Sequence, residues 1–339
     1  MQHIFSLVSM FLFKGTIHNH SPGPCKYVPG VENGAEDLHT LPNGLTFISS
    51  GLTLDNPDVP SVSGRILLYD MSQSGENGAI ELEIENFDQR EFVPHGISAW
   101  VDKTGEITIF VVNHHKQRER IESFQYQPEK KTLLHLKTYK DGSMRHMNDV
   151  LATSNKTFYF TNWSHSKSLW GLFLESFLLL PWTNVYYHDG EIYKLVAEDM
   201  VMANGLAMSA DGKYVYVACT MTKDLKVFRR ETDNSLTFHQ EHLVDTLVDN
   251  PTVDENGDVW IGCHPKILPA WVYMLNPIYG APSQVIKLEI QDGLVKSMKE
   301  VYANDGTMLA ASTVASFYKN QTLIGSLREK LLLCDVLYV

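Results

Sequence analysis

Eight side chains that can hold a cation or take up a proton stand at matching places in short, similar phrases. They are Glu36 and Asp37 in GAEDLHTLPNG, His95 in VPHGIS, Asn148 and Asp149 in RHMNDV, Asn204 in MANGLAM, and Asp249 and Asn250 in LVDNPTV. Four are carboxylates, three carboxamides and one an imidazole. Gathered in one place, the carboxylates repel one another and lose their hydration, at a cost of several kcal/mol that a cation removes. A mixed set of carboxylate, carboxamide and backbone oxygens suits calcium, which takes six to eight such ligands; magnesium wants a tighter octahedron and keeps its waters. Close by in sequence, His114 of VVNHHK faces His95 across one predicted hairpin. A neutral imidazole beside a metal-polarised water can take its proton. Singly, each anchor reads equally well as a strand cap or turn residue, but the repetition across the chain does not.

The elements that must position these residues show the same repetition. Each anchor precedes four or five strand residues, a tight turn such as Lys103-Thr104-Gly105, Ala210-Asp211-Gly212 or Glu255-Asn256-Gly257, and a second strand. With anchors at 37, 95, 149, 204, 250 and 313, the gaps are 58, 54, 55, 46 and 63 residues. Strand-turn-strand units at a period near fifty are the signature of propeller blades. The pattern predicts an all-β, six-bladed β-propeller over residues 21–339, preceded by a short hydrophobic segment, 1–20. In such a ring, equivalent positions of successive blades surround the central tunnel, so the anchors meet on its axis.

A net charge of −12 excludes nucleic-acid binding through a basic face. The apolar run from Ile4 to Phe13 is too short to span a bilayer and reads as a signal- or anchor-like segment, although the basic start of a signal peptide is missing. Sequons at Asn155, Asn162 and Asn320 point to the secretory pathway. Of the four cysteines, Cys25 and Cys334 bracket the repeats. A disulfide between them would staple the seam of the ring, closing a loop of about 300 residues for roughly 5 kcal/mol at most. Cys219 and Cys263 read as small buried hydrophobes.

At these residues the chain resembles the paraoxonase/arylesterase family of six-bladed propellers. GAEDLHTLPNGLTFISSGL, PHGIS, VVNH, NDV, ANGLAMSADGKYVYVA, LVDNPTVDENGDVWIGCHP and the run from Ala311 to Ser316 follow in order between Cys25 and Cys334. The resemblance implies two calcium ions in the tunnel. A catalytic ion would be held by Glu36, Asn148, Asn204, Asp249 and Asn250, and a structural ion by Asp37, Asp149 and the Ile97 carbonyl. His95 would be the base, His114 its proton partner, and Cys25–Cys334 a disulfide, with Cys263 left free. The implied activity is calcium-dependent hydrolysis of lactones and aryl esters by a secreted or membrane-associated glycoprotein.

Two features depart from the family pattern. Where the family continues Asp-His-Tyr after Thr161-Asn162, this chain has Trp163-Ser164-His165, which removes a carboxylate expected near the histidine pair. On this reading hydrolysis is slow, and Trp163→Asp raises turnover. The stretch from Leu169 to Trp182 has one charge in fourteen residues and reads as an amphipathic or buried helix; the resemblance implies that such a helix roofs the site and touches lipid. These departures also fit an alternative: a catalytically weak, membrane-associated chaperone or assembly factor with the same fold.

Overall fold

The structure, a computed structural model, describes residues 15–53, 63–73, 77–114 and 118–338. The apolar run from Ile4 to Phe13 lies outside them. After β1 (Cys25–Tyr27), the strands pair antiparallel in consecutive sets of four. The first set is β2 (Asp37–Thr40), β3 (Leu45–Ser50), β4 (Arg65–Asp70) and β5 (Ile80–Glu85). The second is β6 (Pro94–Val101), β7 (Ile107–Asn113), β8 (Arg120–Gln127) and β9 (Thr132–Tyr139). The third is β10 (His146–Ala152), β11 (Phe158–Ser164), β12 (Thr183–His188) and β13 (Tyr193–Met200). The fourth is β14 (Ala203–Met208), β15 (Tyr214–Cys219), β16 (Asp224–Arg230) and β17 (Leu236–Leu243). The fifth is β18 (Leu247–Val253), β19 (Val259–His264), β20 (Ser283–Gln291) and β21 (Leu294–Asn304). The last is β22 (Ser312–Tyr318), β23 (Gln321–Ser326) and β24 (Leu332–Asp335), and β1 supplies its fourth strand.

Local chemistry explains the hairpins. In the turn between β18 and β19, Asp254 Oδ1 accepts the N–H groups of Asn256 and Asp258, while Oδ2 accepts Trp260 Nε1–H at 2.9 Å. Asp102 does the same between β6 and β7, accepting from Thr104 and Glu106. An Asx side chain thus substitutes for the missing ladder partners at the tip. Along the strands, β-branched and aromatic residues are buried on both faces, as in Ile109–Val112 and Phe158–Phe160. Strands buried on both sides must lie between other sheets.

The apolar clusters show which sheets those are. One joins Phe47 and Ile66 of the first set to Ile109 and Phe124 of the second. The next joins Phe110 to Phe158, then Tyr159 to Val217, then Tyr216 to Ile261, then Trp260 to Ile324. A last cluster joins Leu323 and Leu333 back to Ile48 and Leu67 of the first set. Each set therefore buries its faces only against its neighbours, and the sheets curl into an all-β closed arrangement that fits a propeller. A disulfide joins Cys25 to Cys334 across the β1–β24 ladder, tying the start of the described fold to its end. Cys219 and Cys263 are free and buried. Two helices interrupt the sets, α1 (Leu169–Leu178) between β11 and β12 and α2 (Ile267–Leu275) between β19 and β20.

Candidate active site

The innermost strands β2, β6, β10, β14 and β18 bring the sequence anchors together. Glu36 Oε1 accepts Asn250 Nδ2–H at 3.1 Å and lies 3.3 Å from His95 Nε2. Asn148 Nδ2 approaches the same His95 nitrogen at 3.4 Å, and Asn204 Nδ2–H donates to Thr220 Oγ1 at 3.0 Å. His264 Nε2 lies 2.9 Å from Asp249 Oδ2. Each of these side chains spends one polar atom on a neighbour and keeps another buried with no partner: Glu36 Oε2, Asn148 Oδ1, Asn204 Oδ1, Asp249 Oδ1 and Asn250 Oδ1. A buried acceptor without a partner costs about 1–3 kcal/mol, so five such oxygens would suit a ligand that is itself positive. Among the described residues, no three His, Cys, Asp or Glu side chains form a metal centre by themselves. Here the acceptors are two carboxylates and three carboxamides, the hard-oxygen mixture that suits calcium.

The residues one step along the strands behave differently. Asp37 Oδ1 and Oδ2 accept the N–H groups of Leu38 and Ile97 at 2.8 Å each. Asp149 accepts those of Val150 at 2.7 Å and Leu206 at 2.6 Å. Each aspartate clamps its own strand to the next inner strand, β2 to β6 and β10 to β14. Two glycines let the other inner strands approach as closely, β6 to β10 and β14 to β18. A Cβ at Gly96 would stand 2.4 Å from Asp149 Oδ1, and one at Gly205 would stand 2.6 Å from Asn250 Oδ1. Burial, then the neighbouring Asp249 charge, pushes Glu36 well above the usual carboxylate range. Burial and the Glu36 charge raise Asp37, and burial and the Asp37 charge raise Asp149.

His95 and His114 meet beside this cluster, with Nδ1 of the first 2.8 Å from Nε2 of the second. Burial, then the neighbouring His114, lowers His95 to about 3, which keeps its imidazole neutral. Burial pulls His114 down as well, but the charge of Glu119 and its hydrogen bond outweigh this and raise it. Glu119 Oε2 lies 2.9 Å from His114 Nδ1 and accepts Met147 N–H at 3.1 Å. The expectation that the histidine pair lacks a carboxylate is therefore corrected: Trp163 does not supply one, but Glu119 does. Trp163 packs edge-on against His146 with ring centroids 5.4 Å apart and joins the apolar cluster under the helices.

These groups open onto a cavity of about 470 Å³, with Leu172 and Trp271 among its apolar wall residues. Helix α1 covers part of it with an inverted polarity. Its two polar residues, Glu175 and Ser176, are buried, and Glu175 accepts the N–H groups of His165 and Ser166. Trp170, Phe173, Leu174 and Leu178 face outward, with Trp170 78% exposed. The helix ends at Leu179, in the left-handed conformation, so Leu180 to Trp182 lie beyond it. Among the described residues no helix is long and apolar enough to cross a membrane.

Asn155 and Asn320 sit exposed at hairpin tips. Asn162 does not. It is buried in β11, bonded to Arg145 N–H, Ser143 O and Asn184 Oδ1, so its sequon has no room for a glycan on the folded chain. Sequence reasoning missed Glu119, His146 and His264. A signal for Glu119 existed in the hairpin itself. The register pairs Asn113 with Arg120, so the residues just outside that pair, His114 and Glu119, face each other.

Residues 17–336 match the family model described as Arylesterase. The chain is 38% identical over 319 residues to the rat serum paraoxonase/arylesterase 2, covering 92% of this chain and 88% of that protein. It is 39% identical over 323 residues to the human serum paraoxonase/arylesterase 1, with the same coverage. Against the rabbit serum paraoxonase/lactonase 3 the figures are 38% over 320 residues, 92% and 89%. Among solved structures, a luciferin-regenerating enzyme superposes with a TM-score of 0.58 at 13% identity, over 93% of this chain and 96% of that one. Regucalcin of Agrobacterium tumefaciens, described as a calcium-binding protein, gives 0.54 at 11%, over 94% of each. At such identities the structural likeness concerns the fold alone.

Proposed function

The chain belongs to the arylesterase family and is an esterase/lactonase, and from that premise we propose a calcium-dependent hydrolase of lactones and aryl esters with His95 as its base. The six four-strand sets are read as six blades, with the tunnel opening at the five unpartnered oxygens. Those oxygens support the reading most strongly. Glu36, Asn148, Asn204, Asp249 and Asn250 would hold one calcium ion, and Asp37, Asp149 and the Ile97 carbonyl a second, deeper one. When bound, calcium at the outer position supplies positive charge against a carbonyl oxygen and the oxyanion that develops from it.

The chain's own residues supply the remainder. His95 Nε2, held neutral by burial, takes the proton of the attacking water, and His114 stabilises the resulting imidazolium through Nδ1 of His95. The apolar cavity wall seats the rest of the ester and excludes bulk water, which strengthens every polar contact on its floor. The exposed apolar face of α1, together with Trp182, is suited to contact with a lipid surface at the cavity mouth. The disulfide and the exposed sequons at Asn155 and Asn320 fit a secreted or membrane-associated glycoprotein.

The test is turnover of one lactone and one aryl ester by the calcium-loaded protein and by its His95→Gln variant. The expected result is a loss of about a thousandfold in the variant, within the range for removing a general base, with the melting temperature unchanged. Equal turnover in the two proteins would place the base elsewhere.

A further inference from the structure

The family's Asp-His pair is missing at residues 163 and 164, yet both kinds of side chain are present in the cavity wall, contributed by other elements. An imidazole, His146 of β10, lies with Nδ1 2.7 Å from Ser164 Oγ and its ring against Trp163. The carboxylate comes from the segment leading into β8, where the Glu119 side chain is 4% exposed. We infer that Glu119 is the positioning carboxylate of the histidine pair, and that it sets the direction of the hydrogen bonds running from His114 to the basic nitrogen of His95. The inference rests on the hydrolase reading for its role in turnover, but not for the wiring itself.

The direction follows from which atoms can donate. A carboxylate only accepts. With Glu119 Oε2 already accepting Met147 N–H, the 2.9 Å contact requires the proton of His114 to be on Nδ1. In the neutral imidazole His114 Nε2 then presents a lone pair, so the 2.8 Å contact with His95 requires a proton on His95 Nδ1. That leaves His95 Nε2 unprotonated. The far end of the chain does not decide the matter by itself, because this nitrogen faces both the Asn148 amide Nδ2, a donor, at 3.4 Å and Glu36 Oε1 at 3.3 Å. Glu119 therefore sets both tautomers, and the free lone pair on His95 Nε2 points at the oxygen cluster. Reversing the chain would put a proton on His95 Nε2, leaving it unable to accept one from water. The Met147 N–H bond also ties Glu119 to β10, the strand that carries Asn148. A displacement of Glu119 would thus disturb both ends at once.

The experiment uses the full chain, calcium-loaded, with its histidines labelled with ¹⁵N and His114 assigned by the loss of its signals in His114→Gln. Long-range proton–nitrogen spectra of the unsubstituted protein should show His114 protonated on Nδ1 alone. Glu119→Ala should convert it to a mixture of tautomers and lower kcat for a lactone by about a hundredfold with KM within twofold. That is the size of effect expected for a group that orients a reactive imidazole. Glu119→Asp, which keeps a carboxylate, should recover at least a tenth of the lost turnover. A proton on His114 Nε2 in the unsubstituted protein overturns the inference, whether or not any variant folds. So does a folded Glu119→Ala that keeps its kcat. If no form hydrolyses a lactone while His114 shows the Nδ1 tautomer only when Glu119 is present, the wiring stands and the hydrolase reading falls.

Discussion

Adjacent residues in the same strands do opposite things. Asp37 and Asp149 have both carboxylate oxygens bonded to backbone N–H groups, half of them on the next inner strand. Their immediate neighbours Glu36 and Asn148 each keep a buried oxygen with no partner at all. The difference separates two jobs that residue type alone does not distinguish. A carboxylate whose oxygens each accept a backbone N–H clamps neighbouring strands, whether or not a deeper cation also binds it. A buried oxygen left open is a standing cost, and it persists only where a ligand removes that cost.

The largest effect should come from removing the clamps. In Asp37→Ala/Asp149→Ala, four buried N–H groups lose their acceptors at about 1–3 kcal/mol each, which is comparable to the whole stability of a domain. Denaturant titration should show no cooperative transition even at saturating calcium. A cooperative transition within 2 kcal/mol of the unsubstituted protein, by the same order-of-magnitude reckoning, would erase the distinction between the two layers.

Removing an open oxygen should instead spare the fold. Asn204→Ala is expected to unfold cooperatively, to lose at least about a hundredfold in lactone turnover, and to show a weakened thermal response to calcium. If calcium raised its melting temperature as much as that of the unsubstituted protein, Asn204 would not be part of the cation site.

The acid–base behaviour sharpens the contrast. Without calcium, Glu36, Asp37 and Asp149 have folded-state pKa values raised above their ordinary values of 4.5, 3.8 and 3.8, through burial and one another's charges. A raised carboxylate binds its proton more tightly in the folded than in the unfolded chain. Its stabilisation is fully present below the ordinary value and lost as pH rises through the folded one. The chelated protein should therefore melt at falling temperature as pH rises from about 4.5 towards neutrality, while the calcium-loaded protein does not share this fall. Parallel melting curves across that range would show that calcium does not neutralise these groups.

The smallest expected effect concerns Trp163. Because Glu119 already provides the carboxylate and the indole packs under the helices, Trp163→Asp should cost about 2 kcal/mol of stability through lost apolar burial without raising kcat. A faster Trp163→Asp enzyme would mean that Glu119 orients His114 poorly.

The sequence made the fold and the oxygen cluster legible for one physical reason. A ring of similar units repeats its phase, so Asp37, His95, Asp149, Asn204 and Asn250 fell into register before any contact was known. The Cys25–Cys334 pairing followed from the need to close that ring. The histidine wall has no such repetition. Glu119 lies in the charged run RERIE, where nothing but hairpin register distinguishes it from Glu122, and His146 gains its place only by meeting Ser164 across a ladder. Asn162 shows the limit from the other side, since its sequon is legible while its burial between Ser143 and Asn184 is not. The inward-facing polarity of α1 was not legible either, because Glu175 is held by the N–H groups of His165 and Ser166 and Ser176 by Leu172 O.

The most direct test of the open-oxygen account is lactone turnover by the purified, unsubstituted protein as free calcium is titrated from strong chelation upward. Turnover should rise from background along a saturable curve and return to background when chelator is added back, with the fold still cooperative at the pH of the assay. Turnover that ignores the chelator would contradict the account, and so would its absence in a protein shown to have bound calcium. The second result would move this chain to the assembly-factor reading.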